Sequence, residues 1–438
     1  MQQIIEKIKQ KVPAGELFRV NYKSIPIDYE MNQLKSINAE ELEGWALRII
    51  QNNKIGFSSA TSQEQINRML EKAIEVSQFG QKAYFNFPEK IIPATDLNLQ
   101  MSDKKIKEKT IAEMIEEGNK IIKKINSINA DFRCDAGLTK QESTVEYYNT
   151  FGGSFQYEQT MFAYSVMVQN TTENDMLMLM ESQQWGSDSM PLDIFWEKLE
   201  QKIKWSSKIV DIESGNMPVI FTPKALLVLI LPFISGLNGR SVNKKISPLG
   251  DKKGQLVWSP LFSMYSDGTI DYAGGSAPYD DEGIKMQRLP LIKNGVLENY
   301  YYDLQNAAEA EVEPTGNGLR PGYSSPPAPG ISNLVIPEGE MSMEEMIKDI
   351  KEGIIVDQVL GLGQGNVLSG SFSNNVQLGF KIKNGQVTGR VKNVMIAGNA
   401  FEVMKNILGV GEKATWVSGQ YHFPHVYLKS LPVSSKKQ

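Results

Sequence analysis

Apolar positions along this chain change their period twice, and each change marks a different kind of element. Near the start, "MQQIIEKIKQKV" is amphipathic and charged. Between Ser62 and Gly80 the apolar positions of "SQEQINRMLEKAIEVSQFG" recur at helical spacing, with Ser62 and Gln65 placed as a capping box and Gly80 as a C-cap. Strand-like runs lie between these two: "LFRVNYKSI", then "EGWALRIIQNNKIGFSSAT", where Asn52-Asn53 divides two apolar runs as a hairpin turn does. "FNFPEKIIPATDLNL" is polar and punctuated by prolines, which reads as a linker. A long charged helix is expected from about Ser102 to Asn126. Two or three alternating strands follow around Gly152-Gly153, and a helical stretch from near Pro191 to Ser207 closes this half.

From Met217 glycine, proline and asparagine become frequent and short strands dominate. "PVIFTPKALLVLILPFISGLNG" reads as a strand, a helix and a glycine-marked stop; within it the run "ALLVLILPFI" is a buried helix that Pro232 ends or kinks. Four strand-and-turn units follow: "LPLIKNGVLENYYYD", "NLVIPEGEM", "GFKIKNGQVTGRVKNVMIAGN" and "HVYLKSLPV". Asn294-Gly295 and Asn384-Gly385 both carry the signature of a type I′ hairpin. The pattern predicts an α+β protein: mixed helix and strand over 1–90 and 91–215, then a strand-rich domain over 216–438.

Composition narrows the function. Hydrophobic residues at 41% and charged residues at 22% are globular values in a chain of 438 residues, long enough for two or three domains. A net charge of -5 with no basic stripe argues against nucleic acid as the main partner. The basic pair Lys436-Lys437 reads as a solvated tail. Cys134 alone cannot form an internal disulfide and fits a reducing compartment. With no apolar leader, and no apolar run near the ~18 residues that span a bilayer, a cytoplasmic location without membrane contact is expected.

Several segments offer chemistry. "YDDEGI", Tyr279 to Ile284, places three carboxylates in a row, which could hold a divalent cation; adjacent carboxylates point apart, so a solvated or helix-capping role is expected. "PTGNGLRPGY" is glycine-rich with one arginine, Arg320, but the proline that follows at once suits a phosphate cradle poorly. "GLGQGN" and "SGSFSNN" fit turns between strands. Cys134 reads as a buried, inert thiol. The chain has two histidines, His422 and His425. In a strand, residues three apart face opposite ways, so this pair suits one metal ion poorly.

Taken in order, "DDEGIKMQRLPLIKNGVLENYYYDLQNA", "EPTGNGLRPGY", "ISNLVIPEGEMSMEEMIKDIKEGIIV", "SGSFSNNVQLGFKIKNGQV" and "VMIAGNAFEVMKNILGVGE" resemble the C-terminal domain of the TldD/PmbA family, proposed modulators of DNA gyrase. "GWALRIIQNNKIGFSSAT" and "YYNTFGGSF" extend the resemblance through the N-terminal half. One branch of that family is a zinc metallopeptidase with an HExxxH helix and a further cysteine ligand; the PmbA branch, also called TldE, lacks these and pairs with TldD. In HExxxH two imidazoles hold the ion and the glutamate activates its water. Aligning "GLNG" on the "GLEG" of the TldD branch puts Ile230 and Ser235 at the histidine positions and Leu231 at the glutamate. The segment after the "GVG" turn, "EKATWVSGQYHF", is short for a cysteine-bearing loop.

The resemblance therefore implies a non-catalytic, PmbA-like subunit with no metal of its own, zinc being held only by a TldD-like partner. It further implies a cavity for small or unfolded peptides, completed by that partner or by a second copy. Asp280, Asp281, Glu282, Asn317 and Arg320 are expected to contact the cavity or the partner. The rival readings are an independent homodimeric peptide-binding protein and an active hydrolase with unrecognised catalytic residues.

Overall fold

The computed structural model describes every residue except Asn174, Met190, Pro191, Gly365, Lys437 and Gln438. The predicted starting point of the helix at Pro191, the middle of "GLGQGN" and the second lysine of the basic tail lie outside the described residues. The architecture is α+β, with a strand-rich C-terminal domain.

One antiparallel seven-stranded sheet runs through 14–185, in the order Lys54–Ala60, Glu40–Gln51, Ala14–Glu30, Arg133–Asn149, Ser154–Thr171, Met176–Trp185, with Gln33–Ile37 on the far end of Ala14–Glu30. Strand Ala14–Glu30 pairs with Glu40–Gln51 on one side and Arg133–Asn149 on the other, so strands of 1–90 and 91–215 share this sheet. The first hairpin is set by Asn52 and Asn53, whose φ values of 50° and 59° are the left-handed pair that a type I′ turn requires. Burial alternates along Arg133–Asn149, and Cys134 sits on its inner face, fully buried.

Helices cover this sheet. Gln2–Lys11 buries Ile5 and Ile8, and Ile66–Ser77 buries Ile66, Met69, Leu70 and Ala73, the spacing of one helical face. Ser62 and Gln65 make no capping-box bonds: the chain passes through a short 3-10 turn at Gln63–Gln65 before the helix. Nor is Gly80 a C-cap. The helix ends at Ser77, and glycine is needed at 80 because a Cβ there would lie 1.9 Å from the carbonyl oxygen of Ile55. The long charged helix is split into Lys104–Glu108 and Ile111–Ile128, because Thr110 starts a new helix through a capping box with Glu113. The linker segment is irregular but fastened, with Phe85 and Phe87 buried.

The C-terminal domain is built on an eleven-stranded sheet, part of which closes. Tyr421–Ser435, Val394–Asn399, Ser371–Lys383, Glu352–Val359 and Gly215–Phe221 pair in that order, and Gly215–Phe221 pairs back onto Tyr421–Ser435. Five strands thus form a ring without free edges between them. Both Asn-Gly turns are hairpins as expected, with φ 49° and 78° at Asn294-Gly295 and 50° and 73° at Asn384-Gly385.

Four local expectations change. "SFSNN" begins strand Ser371–Lys383 rather than forming a turn, and the "GVG" of Gly409 to Gly411 lies inside strand Ile407–Val417. Pro232 does not end its helix: Leu227–Leu237 continues past it, held among Val219, Phe221, Phe262 and Leu291 of the main core. "NLVIPEGEM" contributes only the two-residue strand Leu334–Val335. A second core joins Ile121, Val166 and Leu179 of the N-terminal half to Ile355, Phe380 and Tyr427 of the ring.

Candidate functional site

Strand Gly215–Phe221 leads through Thr222–Leu226 into the helix that carries the degenerate motif. Ile230 is fully buried in the apolar core, and Leu231 and Ser235 are half-buried. Two hydrocarbon side chains and one hydroxyl do not make a zinc site, which needs three or four imidazole, thiolate or carboxylate donors. Among the described residues, no group of three or more His, Cys, Asp or Glu side chains is arranged to hold a metal ion. The residues at the motif positions do not fit zinc.

Two of the three "YDDEGI" carboxylates are buried and the third, Asp281, is half-buried. Asp280 and Glu282 are 1% and 0% exposed. Asp280 accepts bonds from the backbone N–H groups of Glu282 (3.0 Å), Ile284 (2.9 Å) and Gly318 (2.8 Å). Asp281 accepts from the N–H of Arg320 at 2.6 Å. Glu282 does take part in capping, accepting from the N–H of Leu304 (2.7 Å) at the head of helix Leu304–Glu309. Its other oxygen is 2.6 Å from Arg48. Glu16 joins the two guanidinium groups, 2.8 Å from Arg48 and 2.7 Å from Arg320. Arg48 also lies 4.8 and 5.2 Å from the ring centres of Phe85 and Phe87, which explains why the linker segment is fixed.

Burial pushes Asp281 up to about 6, Glu282 up to about 7 and Asp280 well above the carboxylate range. Asn317 staples its loop, donating to Gly330 (2.8 Å) and Ser266 (3.0 Å). The structure thus brings Asp280, Asp281, Glu282 and Arg320 together, with Asn317 in the same loop region. None of the five lines the cavity described next.

That cavity, about 610 Å³, lies where the last strand of the N-terminal sheet meets the ring. Helix Leu192–Trp205 lays one face along it, with Phe195, Lys198, Lys202 and Trp205 at helical spacing. Helix Met343–Asp349, started by the Ser342–Glu345 capping box, adds Met343 and Ile347, and the Asn384-Gly385 turn supplies Gly385 at the wall. Glu181, Lys224, Asp357, Trp416 and His425 also line it.

Four of the lining charges pair with one another. Lys202 bonds to Glu181 and, at 2.8 Å, to Asp357; Lys224 is 2.9 Å from Glu181. Attraction from both carboxylates holds the buried Lys202 charged, above the usual range for lysine, and these cations hold Glu181 down to about 2. Lys198 differs. It makes no hydrogen bond or ion pair among the described residues, and burial, with Lys202 and Lys224 nearby, lowers it to about 8 against the attraction of Glu181 and Asp357. Single-sequence reading missed this site because its charges come from four distant segments. The faint available signal was lysine at 198 and 202 on the apolar face of a helix.

The histidines share strand Tyr421–Ser435. His422 packs against Trp416 with the rings tilted, centres 4.7 Å apart, whereas His425 faces the cavity. Burial and the nearby Lys198 lower His425 to about 4, so it is a neutral imidazole at pH 7. Cys134 is buried away from both sites, its thiol pushed up to about 12 by burial.

Residues 214–435 match the PmbA/TldA metallopeptidase C-terminal domain, and residues 15–77 match domain 1 of the same group. The chain belongs to the TldD/PmbA family. It is 35% identical over 202 residues to a metalloprotease TldD homolog of Haemophilus influenzae, an alignment covering 46% of this chain and 42% of that protein. The chain thus spans less than half the length of that relative. To the metalloprotease PmbA homolog of the same organism it is 25% identical, over 66% of this chain and 60% of that one. Its fold superposes on the crystal structure of TldE from Thermococcus kodakarensis with a TM-score of 0.91, at 20% identity, over 99% of this chain and 100% of that one.

Proposed function

We propose that this chain is the non-catalytic subunit of a TldD-type metallopeptidase that acts on small or unfolded peptides. The observation that supports the reading is the motif helix: Ile230, Leu231 and Ser235 stand where the resemblance places two zinc-binding histidines and the general base, and Ile230 is wholly inside the apolar core. A peptidase of this kind needs a metal-bound water and a carboxylate to activate it. In this reading both belong to a TldD-like partner, which holds the zinc, and this chain contributes chamber walls and peptide contacts. The assembly is a dimer, with that partner or with a second copy, at work in the cytoplasm. Among the described residues no helix is long and apolar enough to cross a membrane.

Co-expression with an HExxxH-bearing homologue, followed by native mass determination, tests the pairing. A stable complex of the two chains is expected; a monomer unchanged by the partner at micromolar concentration would overturn the proposal.

A further inference from the structure

The cavity between helix Leu192–Trp205 and the ring is lined by apolar surface on most of its wall and by one lysine, Lys198, that makes no ion pair among the described residues. Phe195, Trp205, Ile347 and Trp416 supply the apolar surface. Lys202 and Lys224 are taken up by Glu181 and Asp357. Lys198 shares a helix face with Lys202, four residues on, where like charges repel, and it has no carboxylate of its own among the described residues.

We propose that this cavity is a binding site for a peptide carboxylate carried next to an apolar side chain, with Lys198 as the group that pairs with the carboxylate. The volume suits two or three residues of peptide. A largely buried ammonium that no described carboxylate contacts is costly, since Glu181 and Asp357 attract it without bonding to it, and an incoming carboxylate lowers that cost by supplying a charge-assisted hydrogen bond. The aromatic walls receive the neighbouring side chain, and the neutral His425 leaves the positive charge at Lys198 undiminished by a further pair. The inference rests on the reading of the chain as a peptide-handling subunit.

Three capped dipeptides test it by calorimetry on the full chain: N-acetyl-Leu-Phe, with a free C-terminal carboxylate; its C-terminal amide; and N-acetyl-Phe-Glu-amide, whose carboxylate is on a side chain. The free acid is expected to bind at least about tenfold more tightly than the amide. The third probe decides the source of the carboxylate: binding like the acid means that either source serves, binding like the amide means a C-terminus. Lys198→Gln is expected to bring acid and amide to equal affinity while its melting curve matches wild type. Equal binding of acid and amide to wild type, or no binding of the acid at millimolar concentration, overturns the proposal without any variant. If the chain restores peptidase activity to a TldD-like partner but fails this test, only the carboxylate site falls. If it binds the acid but pairs with no partner, the subunit reading falls instead.

Discussion

Arg48 of the N-terminal sheet lies 2.6 Å from Glu282 of the C-terminal domain, 234 positions further along the chain, and both side chains are almost completely buried. With Glu16 and Arg320 they form a four-membered ion cluster that fastens the two regions. A buried pair of this kind adds little when complete but is costly to break, since the orphaned charge stays in the core.

Arg48→Met is therefore expected to destabilise the protein by about 3–5 kcal/mol, because it leaves the buried Glu282 without a cation and Glu16 with Arg320 alone. Denaturant unfolding measures it. A loss below about 1 kcal/mol would show that the cluster does not clamp the regions.

The same cluster has a pH signature. Burial raises Glu282 from its usual value to about 7 in the folded chain. A carboxylate raised on folding contributes stability that is complete below its unfolded pKa and is lost as pH rises through the folded one. The window is about pH 4.5 to 7. Between about pH 5 and pH 8, wild type should lose on the order of 2 kcal/mol that Glu282→Gln does not lose. Unfolding midpoints of both proteins at the two pH values test this; parallel pH curves would refute it.

Gly118 lies in the interior of helix Ile111–Ile128, where alanine normally gains about 1 kcal/mol over glycine. Here a Cβ would sit 2.3 Å from the ring of Tyr29. Gly118→Ala should instead cost about 1–3 kcal/mol, and Tyr29→Leu in the same chain should recover part of it. A stabilised single variant would contradict the packing.

Writing the motif back is expected to fail. Ile230→His with Leu231→Glu and Ser235→His buries an imidazole in the apolar core beside Pro232, at a cost of about 2–4 kcal/mol. Elemental analysis after dialysis should find no stoichiometric zinc. One zinc per chain would show that the helix tolerates the ligands.

Local signals carried far in this sequence and long-range ones did not. Asn52-Asn53, Asn294-Gly295 and Asn384-Gly385 were legible because a two-residue turn with positive φ has few other solutions. The chemistry of "YDDEGI" was not, since an isolated run of carboxylates looks solvated until Arg48 is brought to it from the other half of the chain. Ring closure between Gly215–Phe221 and Tyr421–Ser435 is equally invisible to local periodicity. Two further helix starts carry a legible local signal, Thr110 with Glu113 and Ser342 with Glu345, both spaced as capping boxes. Ser62 with Gln65 has the same spacing, but its chain turns through a 3-10 segment and the bonds do not form.

Cleavage of an unfolded peptide, measured with and without a zinc chelator, bears most directly on the claim that this chain is a non-catalytic subunit. The chain alone, freed of contaminating peptidase, should show no chelator-sensitive cleavage, and mixing it with a TldD-like HExxxH protein should give activity that the chelator abolishes. Chelator-sensitive cleavage by the chain alone would contradict the account.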